Sequence, residues 1–438
     1  MLFVAYHAIA WGLFCHLLRR LHTNAGIPVT FLAPIVFVAI EAVMPTVFAW
    51  NLAITQASVL PVIQIAELTG PLGVSFLIIL GNAALYEAVQ ARHARAPFPL
   101  RQLAVAGGIL VACLGFGVVR MQQVRAARDA APKLEVGVVQ VNVRITQTGR
   151  MADPRNQLVA QQQLSATLER AGAELILWPE SSYPYVFGRD RARDWPAGDP
   201  RRIRLGFQTP LIVGAQTSAS GSADRYNSAL LLDRDDEVRG RFDKNILIIF
   251  GEYLPLYDQS KFIKRWIPDV SQLARGTDVA VFSIESTAGT VRISPMICYE
   301  DIFASFGRRL AGRGPNLLVN LTNDAWFGDT TEPWQHLAAS VYRAVELRLD
   351  LVRAVNNGVS AFIDSTGRVY AKTRVVDSAE ATTAGPDTLL EPVAVQQAQT
   401  LYAMLGEWFG AVCVAATILV ALRVRTRERG ASARRATL

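Results

Sequence analysis

The stretch Val291-Arg292-Ile293-Ser294-Pro295-Met296-Ile297-Cys298-Tyr299-Glu300-Asp301 decides how the rest of the chain is read. Its run from Val291 to Ile297 reads as a buried strand. The strand delivers a thiol to its tip, and two acids follow at once. A nucleophile is placed in such a position, beside ionisable groups, although a buried strand-end cysteine is more often a packing residue. Of the four cysteines, Cys298 alone lies outside the long apolar segments; Cys15, Cys113 and Cys413 lie within them. Their spacing offers no disulfide framework and no zinc motif. Five histidines, with only His336 in mid-chain, disfavour a histidine-based metal site or a Ser-His-Asp triad.

The 438 residues leave room for two or three domains. Hydrophobic residues make up 51% and charged residues 18%, and the mean hydropathy is +0.23. That balance suggests a membrane part joined to a water-soluble part. The net charge of +7 is modest. Much of it sits in short basic clusters beside apolar segments, which is a signature of membrane topology and not of nucleic-acid binding.

Membrane spans are expected over 2 to 18, 29 to 50, 71 to 89 and 103 to 119, with a last one over 401 to 422. Glu41 lies inside the second span, where an acid is costly and should face other helices or a polar cavity. Basic residues follow the first span at Arg19-Arg20, fill the 90 to 101 linker, and crowd the tail from Arg423 to Arg435. The positive-inside rule puts these three clusters in the cytoplasm and the large 120 to 400 region on the other side. The expected organisation is a helical region over 1–125, an extracytoplasmic domain over 133–390, a C-terminal span over 400–422 and a basic cytoplasmic tail over 423–438.

The central domain reads as α/β. Strands are expected at Val136 to Val141, Leu175 to Trp178, Leu211 to Ala215, Ser228 to Asp233, Val279 to Ile284, Val291 to Ile297, Leu317 to Leu321, Leu351 to Ala354 and Ala361 to Asp364. Helices are expected at Asn156 to Ala171 and Trp334 to Leu347. Early alternation with helices and later hairpins suit a sandwich of sheets covered by helices. No internal repeat is visible.

Three places look chemical. Glu180 follows Leu175-Ile176-Leu177-Trp178-Pro179, so a carboxylate is expected at a strand end. Lys244 lies in Arg241-Phe242-Asp243-Lys244-Asn245, ahead of an apolar run and Gly251-Glu252-Tyr253. Cys298 is the third. Each has a plain alternative, as turn cap, solvated face and packing residue. Together they make a workable set. A thiol must lose its proton to attack a carbonyl. A glutamate in a partly dry pocket is raised towards neutrality and can take that proton. A lysine beside them can lower the thiol pKa and stabilise a tetrahedral oxyanion. Carboxylates this near a thiol oppose its ionisation unless a cation offsets them, so Glu252 is expected to orient Lys244; the alternative is a turn cap after Gly251.

With these residues in place, the chain resembles the nitrilase superfamily, whose triad is Glu-Lys-Cys in that order. More narrowly it resembles the integral-membrane branch, the apolipoprotein N-acyltransferases. The matching stretches are Trp178-Pro179-Glu180-Ser181, Phe242-Asp243-Lys244-Asn245, Phe250-Gly251-Glu252-Tyr253-Leu254-Pro255 and Cys298-Tyr299-Glu300. Further ones are Tyr226-Asn227-Ser228, Asn323-Asp324-Ala325-Trp326-Phe327-Gly328-Asp329, Trp334-Gln335-His336, Arg353-Ala354-Val355-Asn356-Asn357-Gly358-Val359, and Gln64-Ile65-Ala66-Glu67-Leu68-Thr69-Gly70 in the membrane part. The chain departs from the family in having fewer spans ahead of the catalytic region, and no tryptophan between Asn142 and Trp178.

The resemblance implies a nitrilase-like αββα sandwich flanked by transmembrane α-helices. It implies acyl transfer by Cys298 from a phospholipid to the N-terminal amine of a diacylglyceryl-cysteine lipoprotein, at a bacterial inner membrane. Glu180 would be the base and Lys244 the oxyanion partner. Glu252, Tyr299, Glu300, Asn227 and Trp326 would support the pocket or bind substrate. No metal, cofactor or nucleic acid is expected, and a monomer is. The alternatives are a membrane-tethered amidase acting on a small carbon–nitrogen substrate, and a non-catalytic binding relative.

Overall fold

The computed structural model describes residues 2–46, 48–143, 153–255, 272–328, 330–373 and 386–436, with side chains for all of these except 2–3 and 430–436. Asp329 and the side chains of Arg434 and Arg435 lie outside what is described. The chain forms two compact units, Met1–Gln123 with Thr400–Leu438, and Val124–Gln399.

The first unit is helical. Helices α1 (Leu2–Ala25) and α2 (Val29–Val43) are followed by short turns of helix, among them α3 (Leu60–Ile63) and α4 (Ala66–Thr69). Then come α5 (Pro71–His93), α6 (Leu100–Ala130) and, after the central domain, α10 (Leu401–Leu405) and α11 (Trp408–Ala436). Among the described residues, three helices are long and apolar enough to cross a membrane: Pro71–His93, Leu100–Ala130 and Trp408–Arg429. The stretch expected to span at 29 to 50 behaves differently. Its helix has 15 residues, roughly 22 Å at 1.5 Å per residue, against a hydrocarbon core of about 30 Å. It stops because Pro45 disfavours helical backbone at the preceding residue, and Met44 is extended at ψ 117. The last span also starts late, because Gly406 breaks the chain at φ +66 between α10 and α11. Glu41 Oε1 accepts from Leu52 N at 2.8 Å. Arg120 Nε donates to Glu67 at 2.7 Å, and Trp408 Nε1 to Leu68 O at 2.7 Å.

The second unit is a sandwich of two six-stranded sheets. One sheet has the order β12-β1-β2-β3-β4-β5, from β1 (Lys133–Gln140), β2 (Leu175–Gly188), β3 (Leu211–Ser218), β4 (Tyr226–Leu232), β5 (Val238–Asp243) and β12 (Asp387–Ala394). The other runs β6-β7-β8-β9-β10-β11, from β6 (Phe282–Ser286), β7 (Gly289–Ile297), β8 (Leu317–Thr322), β9 (Leu351–Val355), β10 (Ala361–Ile363) and β11 (Val369–Lys372). Taken from β12 and from β6, both sheets show the same run of pairings: antiparallel, parallel, parallel, antiparallel, antiparallel. Helix α7 (Pro154–Arg170) packs on β1 and β2. Helices α8 (Ala304–Ala311) and α9 (Glu332–Leu347) pack on each other beside the second sheet. The continuous apolar runs expected to be strands are the central ones, buried on both faces: β7 ends in five buried residues and β8 is buried throughout.

Strands β5, β11 and β12 were not expected. β5 and β11 are edges and β12 borders β1 alone. With one face towards solvent, Val238-Arg239-Gly240-Arg241-Phe242-Asp243 carries too few apolar residues to stand out. β2 also runs further than expected, through Pro179 to Gly188, with register shifts between Trp178 and Tyr183 and again before Phe187. Glu180 therefore lies inside β2, on an irregular segment, and not at a strand end.

Candidate active site

Cys298 directly follows β7 and opens a 3-10 turn, Cys298–Ile302. It is 5% exposed. Its backbone is left-handed, at φ +54, a conformation that costs a side-chain-bearing residue about 1–2 kcal/mol. The surrounding bonds hold it there. Asn320 Nδ2, from β8, donates to Cys298 O at 2.8 Å. Glu300 accepts from Ile297 N at 2.8 Å with one oxygen, and from Asn245 N at 2.6 Å and Ile246 N at 3.1 Å with the other. One carboxyl thus joins the cysteine's turn to the segment after Lys244. Burial pushes the Glu300 pKa up to about 8, with the three N–H donors and Lys244 opposing.

Lys244 follows β5 and is 1% exposed. Its N–H donates to Asn227 O, and its carbonyl accepts from Gly276 N, both at 2.8 Å. The preceding Asp243 is gripped by Arg189 at 2.9 and 2.8 Å and by Ser228 Oγ at 2.6 Å. The ammonium donates to Glu180 Oε1 at 3.1 Å and to Glu252 Oε1 at 2.8 Å. Asn227 Nδ2 donates to the same two oxygens, at 2.7 Å and 3.2 Å. Glu252 combines both roles considered for it: Oε1 holds the lysine, while Oε2 accepts from Ile248 N at 2.9 Å and closes its own turn. Glu180 is placed by a close approach. A Cβ at Gly214 of β3 would stand 2.2 Å from Pro179 O and 2.7 Å from Glu180 Cα, so only glycine lets β3 pass beneath that segment.

The electrostatics are those of a dry site. Burial raises the Glu180 pKa, with Lys244 opposing. Burial acts to lower the Lys244 pKa, but the charges of Glu180, Cys298 and Glu252 outweigh it and raise it well above 10.5. The Cys298 thiol is pushed well up by burial and then by the charge of Glu180; Lys244 only partly offsets this. The sequence suggested that the lysine would lower the thiol pKa. Its pull is there, but burial and the charge of Glu180 outweigh it, so the thiol pKa is raised and not lowered. Tyr299 puts its ring 5.7 Å from Lys244 Nζ and donates its hydroxyl to Leu247 O at 2.9 Å.

Glu180, Lys244, Glu252 and Asn227 therefore form one bonded cluster, and Tyr299 and Glu300 belong to the cysteine's turn. Trp326 stands apart, 71% exposed on the 3-10 turn Asp324–Phe327 after β8. Sequence reading passed over Asp301 and gave no role to His336; the second acid of Glu300-Asp301 was the available signal. Asp324, Glu332 and His336 bring three donor atoms within 4.8 Å of one another, the one such group among the described residues. Both histidine nitrogens face carboxylates, Asp301 Oδ1 at 2.8 Å and Asp324 Oδ1 at 3.1 Å, an arrangement that suits an imidazolium donating from both nitrogens.

The class follows from the central domain: the carbon-nitrogen hydrolase family model matches residues 135–380. The model of the apolipoprotein N-acyltransferase N-terminal domain matches residues 1–84. An apolipoprotein N-acyltransferase of Geobacter metallireducens is 32% identical over 97% of this chain and 80% of its own length. One of Bradyrhizobium diazoefficiens is 32% identical over 88% of this chain and 71% of its own length. A solved amidase from Nesterenkonia sp. AN1 aligns with 63% of this chain and 97% of its own at 20% identity and a TM-score of 0.43. The chain belongs to the apolipoprotein N-acyltransferase family, the acyltransferase branch of the carbon-nitrogen hydrolases.

Proposed function

We propose that the protein moves a fatty acyl chain from a phospholipid to the N-terminal amine of diacylglyceryl-cysteine in apolipoproteins, through a thioester on Cys298. The observation that carries the reading is the buried ammonium of Lys244 bonded at once to Glu180 and Glu252, in the field of a buried thiol whose pKa burial pushes up. Glu180 takes the thiol proton as sulfur attacks the ester carbonyl, and a C–S bond forms. Lys244 spends two of its three donors on the carboxylates among the described residues, and the third is available to the oxyanion. Collapse breaks the C–O bond, and Glu180 returns the proton to the departing lysophospholipid. The acceptor amine then attacks the thioester. Its proton goes to Glu180, the C–S bond breaks, and the thiolate is reprotonated.

Both substrates are lipids, which suits a catalytic domain tethered by apolar helices. The catalytic domain faces the outside of a bacterial inner membrane, because the basic loops and tail favour the cytoplasm. The partners are the phospholipid donor, the lipoprotein acceptor and the bilayer. The test is to incubate purified protein with acyl-labelled phosphatidylethanolamine and look for hydroxylamine-sensitive label. The wild type should acquire it and Cys298→Ala should not. Label retained in that variant removes Cys298 from the mechanism. A periplasm-dependent reporter fused after Leu422 should be silent, and one fused within 130–400 active; the reverse pattern overturns the orientation.

A further inference from the structure

A second buried set of charges meets the nucleophile's turn. His336, on α9, is 1% exposed. Its Nε2 lies 2.8 Å from Asp301 Oδ1 and its Nδ1 3.1 Å from Asp324 Oδ1. Carboxylates only accept, so both ring nitrogens donate and the ring is an imidazolium. Burial opposes that charge and Arg353 repels it, yet Asp301 and Asp324 prevail and push its pKa up to about 10.

The two carboxylates belong to different strand ends. Asp301 stands three residues past Cys298 in the same turn, and Asp324 opens the turn after β8. β7 and β8 are hydrogen-bonded neighbours. Asp301 is further fixed by Ser340 Oγ and Arg353 Nη1, each 2.5 Å from Oδ2. The other groups facing the imidazolium are Glu332 on α9 itself, 3.9 Å from Nδ1, and Arg353 on β9, 3.8 Å from Asp324 Oδ2. The charge of Asp324 also bears on the Cys298 thiol. A left-handed cysteine persists only where its surroundings over-determine it, and this link supplies one of the constraints.

We propose that His336 is a positioning residue for acyl transfer, donating one ring N–H to Asp301 and one to Asp324 and so clamping the Cys298 turn to the turn after β8. The inference rests on Cys298 being the nucleophile. The clamp aims the thiol and holds no lipid, so its loss slows the covalent step and leaves donor binding alone. A misplacement of about 1 Å at a reacting atom can cost on the order of 100-fold in rate.

The experiment measures hydroxylamine-sensitive acyl label on Cys298 per folded molecule, against phosphatidylethanolamine concentration, in full-length His336→Gln, Asp324→Asn and Cys298→Ala. The maximal rate should fall roughly 10- to 100-fold in His336→Gln, with the half-saturating lipid concentration unchanged. In Asp324→Asn, which keeps an acceptor but removes its charge, the fall should be several-fold. Full rates per folded molecule in both variants, with only lower melting temperatures, would reduce His336 to a packing role and overturn the proposal. So would a raised half-saturation at unchanged maximal rate. If His336→Gln does not fold, Asp324→Asn decides by the same criteria. Label persisting in Cys298→Ala brings down the proposed function itself, together with the premise of the clamp, and is a distinct result.

Discussion

Lys244 and His336 are each held between two carboxylates, Glu180 and Glu252 for the lysine, Asp301 and Asp324 for the histidine. Both cations are buried, at 1% exposure each. They differ in what is left over. The ammonium carries three donors on one atom and spends two on carboxylates among the described residues. The imidazolium has two donors on opposite sides of a rigid ring, and both are spent. The carboxylates differ as well. Those of Lys244 come from the irregular segment of β2 and the turn after Gly251, within one sheet and its loop. Those of His336 come from two neighbouring strand ends of the other sheet. A buried cation with a donor to spare suits a developing charge; one with none to spare suits a fixed distance between two turns.

The difference can be broken most severely at the lysine. Glu180→Gln keeps the shape but not the base, and the rate of acylation should fall roughly 100-fold or more. Lys244→Arg replaces a compact ammonium with a planar fork and should fail similarly; near-normal thioester formation in either variant would show that the two clusters have been given the wrong roles. Glu252→Gln should cost about 10-fold in the same assay, partly rescued at higher pH, where more thiolate forms. It should also lower the melting temperature, since Oε2 closes a turn. A lower melting temperature with an unchanged rate would leave Glu252 only its turn.

At the histidine, the comparison is sharpened by pH. The His336 pKa is raised from 6.5 to about 10 on folding. Its stabilisation is therefore complete below about pH 6.5 and is lost as pH rises through about 10. Glu300 is raised from 4.5 to about 8 and acts in the same direction, so the melting temperature should drop from pH 7 to pH 10.5. The part of that drop above pH 8 should shrink in His336→Gln; an identical profile would mean that the histidine is neutral when folded. The smallest effect concerns the strained turn. Cys298→Gly should be more stable than Cys298→Ala by about 1 kcal/mol, the cost of a left-handed backbone for a residue with a Cβ, read by denaturant unfolding.

The central strands and the place of Cys298 were legible because burial on both faces writes continuous apolar runs, and because Val291 to Ile297 ends at a lone mid-chain cysteine. The edge strands were not, since β5 alternates charge with bulk. Lys244 and Glu252 are eight residues apart, and their link could be reasoned from charge alone. The His336 links could not: Asp301 is 35 residues away, Asp324 is 12 away on another turn, and no local pattern reports either. Nor does sequence announce left-handed backbone. Ser181, Phe250 and Cys298 all have positive φ, next to or within the chemical positions, and none is a glycine or asparagine. Hydropathy located the three helices long and apolar enough to cross a membrane among the described residues, but the short helix ending before Pro45 and the late start after Gly406 come from backbone geometry.

The shared run of pairings in the two sheets has a meaning best put in terms of symmetry. Overlaying one order on the other makes β1 the twin of β7, so the sandwich is a pseudo-dimer within one chain. Just past β1, Asn142 has φ +54; just past β7, Cys298 has φ +54. Asparagine enters that conformation at little cost, whereas a cysteine does so only under constraint. One half of the pseudo-dimer thus bends near its strand end at an amide suited to that backbone, and the other bends at the thiol.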